Sequence, residues 1–162
     1  MIVVSDTSAI SNLYQIGQLN LLPQLFGQVL ISPAIYQELA TLADQKEIVD
    51  NAAWLTVHAV ADEKTVASLV TTDELHRGEA EAIVLALQEK ADWLIIDESA
   101  GRQTAEKYQL RIIGVLGVLI KAKQAGHIAE VRPYVEQLLQ VGFRLSPHLV
   151  NRVLQSIGEA NL

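Results

Sequence analysis

The chain has no cysteine, and this absence removes two kinds of protein at once. Without thiols there is no disulfide framework and no thiolate-bound metal site. A chain of this composition suits a reducing compartment, and we expect a cytoplasmic location.

Long apolar runs are also missing. No stretch approaches the ~18 consecutive apolar residues that a membrane-spanning helix needs. The first residues, MIVVSDTSAI, show neither the basic segment nor the long apolar core of a secretory signal. Half of the 162 residues are nevertheless hydrophobic, so disorder is not expected. The length suits one domain with a sizeable core, and we expect no membrane partner.

Positive charge is scarce in the first half of the chain. The first Lys or Arg is Lys46, and residues 1–76 hold nine acidic and two basic residues. This segment accounts for the whole net charge of −7, because residues 77–123 and 124–162 are each balanced. Nucleic-acid-binding domains usually present a basic surface. A polyanion would therefore need a metal ion, a partner chain, or the local cluster Arg102, Lys107, Arg111, Lys121 and Lys123.

Short apolar runs alternate with segments of helical period, which predicts an α/β fold with a parallel sheet. The predicted strands are 2–5, 29–31, 55–60, 93–96 and 111–113, and the predicted helices are 8–14, 19–26, 33–42, 44–52, 62–70, 79–89, 98–108 and 115–124. After residue 128 the pattern is helical only, and Ser146-Pro147 marks a helix start. We predict a single domain, 1–162, with an α/β core at 1–126 and C-terminal helices at 127–162.

Two acidic residues come directly after predicted buried strands. Asp6 follows the run 2–5, and Asp97 follows the run 94–96. Open parallel sheets bind their ligands outside the carboxyl ends of the strands. We therefore expect Asp6 and Asp97 to face a common site.

Two glutamates are placed beside apolar helix faces by the helical angle of about 100° per residue. In PAIYQELATL, Glu38 lies roughly 40° from Leu42, which belongs to the apolar stripe. In RGEAEAIVLALQEK, Glu79 lies one turn before Ile83, whereas Glu81 lies roughly 160° away from it. We predict that Glu38 and Glu79 point away from solvent and that Glu81 is solvated.

Buried carboxylates without cations repel one another, unless they bind protons or a hard cation. An all-oxygen set suits Mg²⁺ or Mn²⁺ better than zinc, and the four histidines show no ligand spacing. A metal held by carboxylates can activate water and stabilise charge on a phosphodiester. The pattern therefore predicts a metal site made of Asp6, Glu38, Glu79 and Asp97.

Each of these acids also has a structural explanation, and at this level both explanations stay open. Asp6 is suited to cap the helix that follows it, and Glu38 can be an ordinary residue at the flank of a helix. Glu79 and Asp97 lie where acidic side chains stabilise helix N-termini through the dipole.

Other chemistries find no support in the sequence. The segment IIGVLGVL has two glycines three residues apart, but it matches neither a dinucleotide-binding fingerprint nor a P-loop. No GxSxG nucleophile elbow is present. Arg102 lies four residues after Glu98, so an ordinary helical ion pair also explains it.

The segments SDTS, ISPAIYQEL, RGEAEAIVLA and LIIDES, in this order, resemble the PIN-domain family of metal-dependent ribonucleases. That family includes the VapC toxins of bacterial toxin–antitoxin pairs. The segments GEAEAI and GVLGVL and the tail FRLSPHLVNRVL are similar to those of a prokaryotic subgroup described as predicted nucleic-acid-binding proteins. The resemblance extends over nearly the whole chain.

The resemblance implies a three-layer α/β/α sandwich with a parallel central sheet and a helical C-terminal extension. It implies hydrolysis of RNA phosphodiesters by metal-activated water, with Mg²⁺ or Mn²⁺ as cofactor and without a covalent intermediate. RNA, an antitoxin protein and a second copy of the chain are the partners it suggests.

The family's site carries over residue by residue. The acidic positions match Asp6, Glu38, Glu79 and Asp97, and the positions that often assist ligands or water match Thr7 or Ser8 and Ser99. We add Arg102 as a supporting residue and assign nucleic-acid contacts to Arg102, Lys107, Lys121 and Lys123. There are two departures from the family pattern. The third acid is often Asp in the toxins, and a hydroxyl residue often precedes the fourth acid where this chain has isoleucines.

Three hypotheses follow. The first is a Mg²⁺- or Mn²⁺-dependent endoribonuclease, with the toxin of a toxin–antitoxin pair as one role. The second is a non-catalytic module on the same fold that binds nucleic acid or a partner. The third, a phospho-receiver-like domain, is disfavoured because an Asp ending a central strand and paired with a later Lys is missing.

Overall fold

The structure, a computed structural model, describes the backbone of residues 1–162 and the side chains of all of these except residue 43. The strands are β1 (Val3–Ser5), β2 (Val29–Ile31), β3 (Leu55–Val57), β4 (Trp93–Ile95) and β5 (Ile112–Ile113). They form one sheet in the order β3-β2-β1-β4-β5, and every pair of neighbours is parallel. The predicted parallel sheet is confirmed.

Helices occupy the connections and cover the sheet. They are α1 (Thr7–Gln15), α2 (Leu21–Phe26), α3 (Pro33–Ala40), α4 (Ala43–Asn51), α5 (Glu63–Thr71), α6 (Arg77–Gln88), α7 (Ser99–Lys107), α8 (Val115–Gln124), α9 (Arg132–Gln140) and α10 (Pro147–Ser156). Helix α6 packs against β1 and β4, whereas α2 packs against β2 and α8 against β5. The predicted three-layer α/β/α sandwich is confirmed. None of the described helices has the length and hydropathy needed to cross a membrane.

The central strands are buried on both faces. Val3 and Val4 in β1 and Leu94 and Ile95 in β4 are at most 1% exposed. Their continuous apolar runs are typical of parallel strands that are covered by helices on both sides. In the register of the sheet, Val4 lies opposite Leu94 of β4 on one side and opposite Leu30 of β2 on the other.

Two helix starts form as their Ser-Pro pairs predict. The Ser32 hydroxyl accepts a hydrogen bond from the Ile35 amide at 3.3 Å, and the Ser146 hydroxyl accepts one from the Leu149 amide at 3.5 Å. In each case proline takes the first helical position, where its missing N–H costs nothing. Buried residues of α9 and α10 belong to the same hydrophobic cluster as the sheet, which favours the predicted single domain.

Strand β3 is shorter than predicted. The periodicity extends it to residue 60, but the strand ends at Val57. The His58 amide still donates to the Ile31 carbonyl at 2.9 Å. Because β2 itself ends at Ile31, the residues after His58 have no neighbouring strand to continue the ladder.

The prediction that Glu81 is solvated is wrong. Its side chain lies inside the protein, with 4% of the residue exposed, because α6 contacts α3, α5 and α7 in addition to the sheet. One carboxylate oxygen accepts from the Ala34 amide at 3.0 Å, and the other accepts from Arg77 Nε at 2.8 Å. Glu81 therefore ties the first turn of α3 to α6.

We expect Glu81→Ala to lower the free energy of unfolding by about 1–3 kcal/mol, because it leaves the Ala34 amide without its acceptor. Urea unfolding measures the loss. Glu63→Ala is the matched control, since Glu63 also binds Arg77 but through a side chain that is 61% exposed, and exposed pairs contribute little. Equal losses in the two variants would contradict the bridging role of Glu81.

Candidate metal centre

The site lies where the connections of the sheet reverse direction. The chain runs from β1 outward through β2 to β3, and then crosses to β4 and β5 on the other side of β1. The crevice at the carboxyl ends of β1 and β4 is therefore the switch point, the usual place for ligands in such sheets. The Asp6 amide donates to the Ile95 carbonyl at 2.9 Å, so Asp6 stands beside the end of β4, just before Asp97.

Asp6 uses only one of its two carboxylate oxygens. The residue is 2% exposed, and Oδ1 accepts from the Ala9 amide at 2.9 Å, which caps α1. Oδ2 is buried and has no hydrogen-bond partner among the described residues. The capping explanation is thus correct but accounts for half of the carboxylate.

Burial raises the pKa of Asp6 to about 8. The Ala9 amide and, more weakly, the nearby Asp97 amide oppose this rise in pKa, whereas the negative charges of Asp97 and Glu79 add to it. Without a cation, the side chain therefore holds a proton at neutral pH.

Glu79 repeats this pattern at the start of α6. The residue is 9% exposed, as its helical angle predicts, and Oε1 accepts from the His76 amide at 3.3 Å. Oε2 is buried and lacks a hydrogen-bond partner in the described part of the structure. Burial is the main reason why the pKa of Glu79 is raised above its ordinary value.

The prediction that Glu38 avoids solvent is wrong. Its side chain is exposed, because it reaches from α3 across the mouth of a cavity and does not insert into the helix packing. There, Oε2 accepts a hydrogen bond from the Thr7 hydroxyl at 2.6 Å. This bond joins α3 to the first residue of α1 directly beside Asp6.

Three of the four predicted acids share one cavity of about 340 Å³. The cavity is lined by Asp6, Thr7, Ser8, Glu38, His76, Arg77, Glu79 and Glu98. Sequence reasoning missed His76, Arg77 and Glu98, although all three are direct neighbours of predicted site segments. The Arg77 guanidinium donates hydrogen bonds to Glu63 and Glu81, so these two carboxylates already balance its positive charge.

Asp97 lies beside this cavity and faces an adjoining groove that also contains Ser99 and Arg102. Both carboxylate oxygens of Asp97 accept from the Val115 amide at 3.2 Å, at the start of α8. Burial raises the pKa of Asp97, while the Val115 amide and the Arg102 charge act in the opposite direction.

Arg102 does not form the helical ion pair that the sequence allows. Its Nη1 donates to the Ile96 carbonyl at 3.2 Å, and no ion pair with Glu98 is found among the described side chains. The guanidinium is therefore held at the end of β4 and keeps its charge available to the groove.

Three glycines make room for the acids. A Cβ on Gly78 would stand 2.5 Å from Glu38 Oε1, a Cβ on Gly101 would stand 2.8 Å from Glu79 Oε2, and a Cβ on Gly114 would overlap Asp97 Oδ1. These glycines do not have the positive φ of turn residues. Their position in or next to helix starts, in RGEAEA, SAGRQ and IIGV, is the signal that sequence reasoning could have used.

The other predicted nucleic-acid contacts lie away from the acids. Lys121 packs over the Trp93 ring at 4.8 Å, and Trp93 begins β4, whose opposite end leads to Asp97. Lys123 Nζ donates to Glu159 at 2.7 Å, and Lys107 lies in the last turn of α7. Of the four predicted cations, Arg102 alone adjoins the acidic site.

The chemistry of the donors fits a hard divalent cation, although the ligands are not gathered around one point. No three acidic or histidine side chains in the described set stand close enough together to hold a metal ion. Yet Asp6 Oδ2 and Glu79 Oε2 are buried oxygens without partners, and buried polar atoms are normally satisfied. A cation would satisfy both oxygens and oppose their mutual repulsion, provided that the side chains draw together.

We expect Asp6→Asn to stabilise the metal-free protein, increasingly so as the pH rises from about 4 to about 8. The pKa of Asp6 is about 8 in the folded protein, against an ordinary aspartate pKa of 3.8, so as the pH rises the unfolded chain loses this proton first and folding becomes less favourable. At ~1.4 kcal/mol per pKa unit, the gain at pH 7 is about 4 kcal/mol, or roughly 8–16 °C in Tm. Asparagine also caps helices.

Asp62→Asn is the matched control for this measurement. Asp62 caps α5 through the Thr65 amide, but it is exposed and its pKa is lowered. Its replacement should destabilise slightly and by the same amount throughout pH 4 to 8, because Asp62 is ionised in both the folded and the unfolded protein over most of that range. Thermal unfolding of both variants between pH 4 and 8 decides the matter; a Tm of Asp6→Asn that tracks wild type at every pH would contradict the burial of an unpaired carboxylate.

A family model described as PIN domain matches residues 2–159. No curated protein gives a significant match to the chain. The matched region contains all four acidic residues and all five strands. PIN domains are generally nucleases, so the match agrees with a nuclease-type fold that carries its acids at the switch point. The chain belongs to the PIN-domain family.

Proposed function

We propose that this protein is a Mg²⁺- or Mn²⁺-dependent ribonuclease that hydrolyses RNA phosphodiesters. The observation that supports the proposal is the pair of buried carboxylate oxygens without partners, Asp6 Oδ2 and Glu79 Oε2. Removing a carboxylate from water costs free energy unless it is compensated. A fold that keeps two such groups in one cavity at its ligand crevice favours a cation as the missing partner.

Asp6 and Glu79 would hold the cation, and Asp97 would act on it from the neighbouring strand, directly or through water. A divalent cation bound there supplies Lewis-acid chemistry, which lowers the pKa of water and stabilises negative charge on a phosphodiester. The Mg²⁺ or Mn²⁺ assignment follows from the donors, which are all carboxylate oxygens.

Glu38 has a different task, because it is the exposed member of the set. Its Oε2 is fixed by the Thr7 hydroxyl, and the carboxylate lies at the mouth of the cavity, where the attacking water would enter. Such a carboxylate can orient that water and accept its proton. Thr7 and Ser8 add hydroxyl groups to the same wall, and Ser99 and Arg102 support the adjoining side near Asp97.

The proposal of RNA as the substrate rests on membership of the PIN-domain family, as does the proposal of a toxin role with an antitoxin partner and a homodimer. Expression of the wild-type chain tests the toxin role: growth arrest that Asp6→Asn abolishes would support it.

A second candidate is a non-catalytic module that binds nucleic acid or a partner on the same fold. Two observations favour it: the described acids are not gathered into a metal cluster, and the net charge is negative. This candidate predicts RNA binding that survives Asp6→Asn, without turnover at any metal concentration.

We expect the wild-type protein to cleave single-stranded RNA in the presence of Mn²⁺ or Mg²⁺ and to stop on addition of a chelator. Asp6→Asn should lower the rate by at least about 100-fold, the scale on which loss of one preorganised electrostatic group acts. The control is Asp62→Asn, which should cleave as fast as wild type. The ribonuclease proposal fails if Asp6→Asn cleaves at the wild-type rate.

Gly78→Ala is expected to change the cleavage rate without lowering the stability of the fold. The new Cβ would stand 2.5 Å from Glu38 Oε1, so the glutamate has to move, whereas the helix itself gains from alanine. We expect unchanged or higher Tm together with cleavage reduced by about tenfold or more, since displacements near 1 Å cost this much or more.

The double variant Gly78→Ala/Glu38→Gln gives the internal control. If Gly78 acts through Glu38, the double variant should be no slower than Glu38→Gln alone. Additive losses would show that the glycine affects the reaction by another route.

A further inference from the structure

A second groove continues from the acidic cavity. Its volume is about 1070 Å³, and it meets the cavity at Ser8 and Glu98, which line both. The inner end of the groove contains Asp97 and Arg102, while its outer wall is formed by the segment between α9 and α10 and by α10 itself. The two hollows therefore form one continuous path across the carboxyl edge of the sheet.

The groove carries charges of both signs. Asp97, Glu98 and Arg102 lie at its inner end, and Arg144 lies at its outer wall. Neither arginine pairs with a carboxylate among the side chains that the structure describes. Arg144 is exposed and lies in the segment between α9 and α10, so it is free to contact a bound anion.

Apolar side chains line another part of the groove, which we call the apolar floor. Leu116 and Ile120 of α8 face it from one side, and Leu149 and Val153 of α10 face it from the other. Leu149 is 49% exposed, so its side chain is accessible to a ligand in the groove. Cations and an apolar floor in the same groove suit a single strand of nucleic acid, whose phosphates and bases need both kinds of contact.

We propose that this groove binds the single-stranded RNA segment next to the scissile phosphodiester, with Arg102 and Arg144 on its phosphates and the apolar floor beneath its bases. The inference rests on the proposed function, because the acidic cavity fixes where the scissile group lies. It makes the C-terminal helices part of the substrate site and reverses the expectation that the lysines of α8 hold the RNA.

The test measures binding of a fluorescent 12-residue oligouridylate in the Asp6→Asn background, which separates binding from cleavage. Arg144→Gln should weaken binding several-fold at low salt and reduce the slope of log affinity against log salt by about 0.7, the value for one phosphate contact with a single strand. Arg152→Gln is the matched control, because Arg152 is an exposed arginine of α10 outside the groove. It should leave both quantities unchanged.

The apolar floor has its own test. Leu149→Ala should weaken oligouridylate binding and leave binding of inorganic polyphosphate unchanged, because polyphosphate has no bases. Leu139→Ala, which removes a 39% exposed leucine of α9 outside the groove, should change neither. Equal losses for both probes in Leu149→Ala would overturn the role of the floor.

The outcomes also distinguish this inference from the proposed function. If wild type never cleaves RNA but Arg144→Gln still binds it more weakly, the nuclease fails and the groove stands as an RNA site. If wild type cleaves RNA and Arg144→Gln binds like Arg152→Gln, the groove proposal is overturned. Losses confined to Lys107→Gln and Lys121→Gln would overturn it as well and place the RNA at the opposite edge of the sheet.

Discussion

The buried carboxylate of Asp6 is the constraint on which the rest of the site depends. Oδ1 caps the N-terminus of α1 by accepting a hydrogen bond from the Ala9 amide, and Oδ2 is buried without a hydrogen-bond partner among the described residues. A fold tolerates this cost where a ligand supplies the compensation. Glu79 Oε2 is a second buried oxygen without a partner in the part of the chain that the structure describes, and Asp97 follows the neighbouring strand β4. The negative charges of both residues raise the pKa of Asp6 further, so a bound cation would relieve the repulsion among all three.

Much of the fold could be predicted from the sequence, because its signals are local. Apolar runs and helical periodicity indicate all five strands and the helices of the α/β core, and α8 begins and ends at the predicted residues. Asp6 and Asp97 were found because they directly follow buried strands. Helical angle placed Glu79 correctly, but it failed for Glu81 and Glu38, because it identifies the face toward the sheet and ignores other neighbours. Helix α3 covers Glu81, and Glu38 crosses an open cavity mouth.

Long-range geometry explains the remaining differences. Gly78, Gly101 and Gly114 are required by side chains that come from other elements; their place in or next to helix starts marks them as unusual in the sequence, but the acids that need the space are visible only in the fold. The excess of acidic residues in the first half of the chain also does not predict the local charge of the folded surface. Cations from distant segments come together at separate places: Arg111 and Lys121 around Trp93, and Arg102 and Arg144 along the groove. A chain with net charge −7 can therefore still offer a local path to a polyanion.

Calorimetric titration with Mn²⁺ at pH 6.5, in two buffers of different ionisation enthalpy, tests the central claim most directly. Because the pKa of Asp6 is about 8, the metal has to displace its proton, and we predict release of roughly one proton per ion bound by wild type. Asp6→Asn should bind far more weakly and release none. Wild-type protein that binds no Mn²⁺, or that binds it without releasing a proton, would contradict the assignment of Asp6 as a metal ligand.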